Sequence, residues 1–116
     1  RQRQRAVCAG VLIMTATTRE LLEGAARACG IEGSWHEGAQ CFWTKKQTIW
    51  RPHQDMADCF EMETALKIDV RWWDEEVRCA SGDIARWSSY ADHNNDREAT
   101  RMYASTRCAF EIGKGM

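Results

Sequence analysis

The closing stretch of this chain constrains its fold more than any other feature. Asn95-Asp96-Arg97-Glu98 has the form of a capping box, and Ala99, Met102, Tyr103, Thr106, Ala109, Phe110 and Gly113 follow at helical spacing. Four turns without a proline, striped on one side and carrying Arg97, Arg101, Cys108 and Glu111 elsewhere, predict a helix that must bury one face. Cys108 is expected to face solvent. The rest of the chain has to supply what that helix packs on, and 116 residues suffice for one core but not for two independent ones.

Two further helices have start signals. Thr17-Thr18-Arg19-Glu20 forms a capping box ahead of Leu21, Leu22, Ala25, Ala26 and Cys29, with Gly30 as a left-handed stop. After Pro52, the acids Asp55 and Asp58 favour a helix start, and Met56, Cys59, Phe60, Met62 and Leu66 are expected to form its apolar side. Strands fill the gaps. Ile68, Val70 and Trp72 alternate with Asp69 and Arg71, Asp74-Glu75 can turn the chain, and Val77 with Cys79 continue the alternation up to Ser81-Gly82-Asp83. A weaker hairpin is expected at 35–37 and 40–44 around Gly38, and 84–90 reads equally as a strand or an ordered loop. The fold class is therefore α+β, a small, mainly antiparallel sheet sandwiched between helices in the order α-β-β-α-β-β-α.

Charge and hydropathy narrow the function classes. The longest uncharged stretch, residues 6–18, holds far fewer apolar residues than the roughly 20 that a membrane-spanning helix requires. Sixteen basic residues against 17 acidic ones give a net charge of −1, which advertises neither a polyanion nor an anionic bilayer as partner. Three of those bases, Arg1, Arg3 and Arg5, precede Met14, so from there on 13 bases face 17 acids, a charge of −4. Residues 1–13 read as a non-native or disordered extension and 14–116 as the single folded domain.

Six cysteines, at 8, 29, 41, 59, 79 and 108, lie 12 to 29 residues apart with no CxxC pair, and read as reduced thiols packing as small hydrophobes. Cys29, His36, Cys41, His53 and Cys59 offer enough nitrogen and sulfur for zinc, but their spacing lacks the paired ligands that structural zinc sites present, and no metal or other cofactor is expected. Asp55, Asp58, Glu61 and Glu63 crowd one helix and Asp74, Glu75 and Glu76 one turn. Dipole complementation and solvation account for them, and no His-Asp, Ser-His or Glu-x-x-His arrangement stands near them to complete a catalytic group.

Six tryptophans are the compositional anomaly. Trp72 and Trp73 are adjacent on a strand and point to opposite faces, so with helices on both faces both rings would be buried or half-buried. Trp43, Trp50 and Trp87, in or near loops, are then the expected interaction surface. The alternative reading uses Trp beside Arg71, Arg78 and Arg86 to stack single-stranded bases.

A resemblance joins several of these segments. Arg19-Glu20-Leu21-Leu22-Glu23-Gly24-Ala25-Ala26-Arg27-Ala28-Cys29-Gly30-Ile31-Glu32-Gly33 resembles the opening helix of the phage ABA sandwich domain family of small tailed-phage and prophage proteins. Trp50-Arg51-Pro52 with Asp58 and Ala65-Leu66-Lys67-Ile68-Asp69-Val70 is similar to that family's turn, helix and strand, and Ala99-Thr100-Arg101 through Glu111-Ile112-Gly113 to its closing helix. Glu63, in mid-helix, and the cysteines at 41, 59 and 79 depart from the pattern. The resemblance implies a sandwich fold and a mobile-element origin, and it implies no chemistry. Together these readings describe a small accessory protein of the bacterial host cytoplasm, non-enzymatic, binding an unidentified host or phage protein.

Overall fold

The computed structural model describes residues 16–116, so the reading of residues 1–13 as an extension, and Met14 with it, lies outside the described residues. The chain is α+β, in the order helix, strands, helix, strands, helix. Helix α1 (Thr18–Cys29) starts at the expected capping box: the Thr17 N–H donates to Glu20 Oε1 at 2.8 Å and the Glu20 N–H to Thr17 Oγ1 at 3.1 Å. It stops at Gly30, whose φ of 72° is the left-handed conformation that a Cβ would oppose.

Strands β1 (Gly33–His36), β2 (Cys41–Thr44) and β3 (Ile49–Trp50) follow as a three-stranded antiparallel sheet in that order. The expected first hairpin is present. The third strand has only two residues, too few for a period-two signal to declare itself. Its Trp50 pairs with Phe42 in register and lies edge-on to that ring, 5% exposed.

Helix α2 (Met56–Leu66) is capped by Asp55, which accepts from the Asp58 N–H at 3.0 Å, and it ends at Lys67 in the left-handed region at φ 54°. Cys59, Met62 and Glu63 are its buried residues. Phe60 is 49% exposed and lies under the Arg101 guanidinium at 4.8 Å, which corrects its expected place on the buried side.

Strands β4 (Asp69–Trp72), β5 (Glu76–Ser81) and β6 (Ile84–Ser89) form a second antiparallel sheet with β5 in the middle. Asp74-Glu75 and Gly82-Asp83 are its two-residue turns, and 84–89, open between strand and loop in the sequence, is a strand paired along its whole length with β5. A 3-10 turn, Tyr90–His93, leads into helix α3 (Arg97–Lys114). The cap of α3 is Asp96, whose carboxylate accepts from the Ala99 N–H at 3.0 Å, one residue later than the Asn95 expected from the capping-box pattern.

Helix α3 is the centre of the molecule. It packs on α1, on α2 and on β5 and β6, so it buries Thr100, Met102, Ala104, Ser105, Thr106, Cys108, Ala109 and Gly113 rather than one stripe. Cys108 is fully buried, with its thiol toward the Ile84 carbonyl, which corrects the expectation that it faces solvent. The α1–α3 crossing is close: a Cβ on Gly113 would lie 1.9 Å from the Gly24 carbonyl oxygen. Small residues at both positions are what allow the two backbones to meet.

Candidate functional site

The residues that carry chemistry in this fold fall into three places. The first is buried. Glu63, 6% exposed in the face of α2, is held by Arg101 of α3 through Nη2–Oε1 at 2.7 Å and Nε–Oε2 at 3.1 Å. The same Oε2 accepts from Ser105 Oγ at 2.5 Å and from Cys59 Sγ at 3.4 Å, and Ser105 Oγ lies 3.2 Å from Cys79 Sγ. Glu63, a charge in the middle of its helix, thus has its partner on a different helix. A hydroxyl, two thiols and a carboxylate in one cluster invite a nucleophilic reading, but Ser105, Cys59 and Cys79 are fully buried. Burial, with Glu63 adding to it, pushes the Cys59 thiol up, and burial carries Cys79 to about 12, so both stay protonated at neutral pH. The cluster is an ion pair whose lone pairs are satisfied, and it ties α2 to α3.

The second place is the outer face of the first sheet. His36 and Trp43 pack there at 5.8 Å between ring centroids beside an open depression of about 580 Å³ that Ser34, Lys45 and Gln47 also line. Trp43 is half-buried, and Cys41 is the cross-strand partner of His36. Among the described residues no group of three or more His, Cys, Asp or Glu side chains converges to hold a metal. The zinc candidates are spread accordingly: Cys29 at the end of α1, His36 and Cys41 on β1 and β2, His53 in the loop after β3 and Cys59 inside α2.

The third place is the outer face of the second sheet, and here large apolar surface meets solvent. Register puts Arg71, Arg78 and Trp87 side by side on one face, with Trp73 and Glu76 next along. The opposite face, with Val77 and Cys79 at 0% exposure, lies under α3. The Trp73 and Trp87 rings approach across β5 to 6.0 Å between centroids and remain 52% and 41% exposed. The Arg78 guanidinium sits 5.9 Å over the Trp87 ring, and Glu76, in register with Trp73 on one side and Ser89 on the other, is buried. At the sheet edge Trp72, 43% exposed, stacks on Tyr90 at 6.3 Å, and Tyr90 carries the Arg97 guanidinium at 4.5 Å on its ring. The Tyr90 hydroxyl donates to the Trp73 carbonyl at 2.7 Å, which locks this corner.

Of the expected surface Trp43, Trp50 and Trp87, the structure leaves only Trp87 well exposed: Trp43 is half-buried on the other sheet and Trp50 is core. Trp72 and Trp73, expected to be covered, are the exposed pair: Trp73 lies on the outer face, which nothing described covers, and Trp72, in register with Val77 on the face under α3, stands on the edge strand β4, where the helix leaves it 43% exposed. The alternation read from 68–73 already assigned Trp72 and Trp73 to opposite faces. What it lacked was which face would go without a helix.

No family model, curated protein or solved structure matches this chain. Among the described residues no helix is long and apolar enough to cross a membrane.

Proposed function

We propose that this chain is a small, non-enzymatic accessory protein that binds a protein partner through the outer face of its second sheet. The observation that carries the reading is the Trp73–Trp87 pair, two large rings in contact with each other and half open to solvent on a rigid paired sheet. Trp beside Arg is the composition of a binding anchor, since rigid rings contribute large apolar area at little entropic cost. Arg78 beside Trp87 and Arg71 at the rim fit a partner that presents an apolar side chain flanked by an acidic one.

Base stacking is the second reading, favoured by the same rings with Arg78 above one of them. A phosphate track is poorly furnished here: Arg71 is held by Asp69 at 2.9 Å, Arg86 by Glu111 at 3.0 Å on the helix side, and Asp74 and Glu75 occupy the adjoining turn. The resemblance to the phage ABA sandwich domain family supports a phage or prophage origin, with the partner a host or phage protein in the bacterial cytoplasm.

The test pairs two variants with a salt series. Capture of the partner should be abolished in Trp73→Ser/Trp87→Ser and kept in Trp43→Ser, and it should persist above about 0.15 M salt, where screening shortens the Debye length to roughly 8 Å. Circular dichroism guards against misfolding. Micromolar binding of a single-stranded oligonucleotide that weakens steeply with salt and is lost in Arg78→Ala would replace the protein partner with a nucleic acid.

A further inference from the structure

We infer that β4 is a self-pairing edge, through which two copies of this chain join their second sheets into one six-stranded antiparallel sheet. The inference concerns the edge of the sheet, not the aromatic face proposed above, and it starts from an asymmetry between the two edges.

An edge strand exposes a row of backbone donors and acceptors that folded chains usually blunt. On β6 they are blunted. The Trp87 carbonyl accepts from Arg107 Nη1 at 3.1 Å and the Ala85 carbonyl from Arg86 Nη1 at 2.6 Å, so two guanidinium groups close that edge. On β4 the Trp73 N–H donates to the Glu76 carbonyl at 2.8 Å, which fixes the alternation of the ladder. Residues 71 and 69 then bond inward to β5, while the backbone groups of Val70 and Trp72 and the Ile68 carbonyl point away from the sheet. Among the described residues no side chain bonds those outward groups. The strand carries no proline and no bulge, and the Trp72 ring beside it is 43% exposed.

Charge selects the occupant. Asp69 and Arg71 stand two residues apart on the same face of β4, both largely exposed, and bond only to each other. In an antiparallel pairing of β4 with a second copy, centred on Val70, Asp69 of each copy lies opposite Arg71 of the other, twice over. The same register sets the Val70 N–H of each copy against the Val70 carbonyl of the other, and each Trp72 N–H against an Ile68 carbonyl. A strand that reads acid, apolar, base is complementary to itself reversed. An unrelated peptide would need that pattern by coincidence, and a second copy has it by construction.

Sedimentation of the purified chain tests this over about 1 to 100 µM, a range that spans common dimer affinities. The wild type should pass from monomer to dimer. Val70→Pro, which removes an outward N–H at an edge position where proline is tolerated, should remain a folded monomer. Arg71→Asp, which sets acid against acid, should weaken dimerisation about tenfold, and Asp69→Arg/Arg71→Asp should restore it because the reversed pattern is again self-complementary. Trp87→Ser, on the far edge, should leave the dimer intact, so failure of the aromatic-face reading and failure of this one are separable. A wild type that stays monomeric throughout overturns the inference. So does a dimer that survives Val70→Pro, or a double reversal that weakens association as much as the single one.

Discussion

Cys108 lies on a helix that α1, α2, β5 and β6 all pack against, and its full burial follows from those neighbours. It was expected opposite the stripe of Tyr103 and Phe110, facing solvent. Trp50 looked like a loop residue next to Pro52 and is instead the end of a two-residue strand beneath Phe42. Glu63 was legible as an irregularity, but its partner Arg101 is 38 residues away and no local pattern points to it. The thiols make burial measurable. Among the five described cysteines, alkylation near neutral pH without denaturant should reach half-buried Cys41 first. Cys29 should follow slowly, since burial pushes its thiol up to about 11. Cys59, Cys79 and Cys108 should react only on unfolding, and peptide mapping that finds Cys108 modified before Cys41 would contradict the central place of α3.

Elements were legible where a local signal sets them. Both ends of α1, the Asp55 start of α2 and the turn at Asp74-Glu75 were readable because a side chain or a turn geometry decides each within four residues. Strand β6 was not. Its Ile84, Arg86 and Ser88 face α3 while Ala85, Trp87 and Ser89 face out, and neither set is distinctly apolar, so alternation carries no sign. Two sheets in place of one were equally hidden, because strand pairing is long-range and the hairpin signals are compatible with either. The α1–α3 crossing was half visible: Gly24 and Gly113 stood in the sequence, but nothing there paired them. Gly113→Ala tests the pairing. Its Cβ would meet the Gly24 carbonyl oxygen at 1.9 Å, backbone against backbone, which cannot be relieved by turning a side chain. The cost should be about 3 kcal/mol, at the upper end for overpacking. Gly115→Ala, with its nearest atom at 3.7 Å, should shift the urea midpoint very little.

At the scale of the whole molecule, the ionisable groups that folding perturbs predict how stability depends on pH. His53 lies in the loop before α2 with Nδ1 buried and without a hydrogen-bond partner among the described residues, and burial, with Arg51 adding to it, lowers its pKa from 6.5. His93 is lowered as well, chiefly by burial and against the pull of Asp92 and Asp96. A histidine whose folded pKa lies below its unfolded value takes up its proton more readily in the unfolded chain. The associated stability is therefore full above pH 6.5 and is lost as pH falls below it. A second loss comes lower. Glu20, bonded to Thr17, and Glu32, paired with Lys45, both have pKa values depressed below 4.5, and their contributions fade as pH falls through that range. The expected profile of urea midpoints is thus level from pH 8 to about 6.5, declines through the histidine range and falls again below about 4.5. His53→Gln/His93→Gln should flatten the first decline and leave the second. A wild-type midpoint that is unchanged between about pH 7.5 and 5.5 would show that neither imidazole is held neutral by the fold.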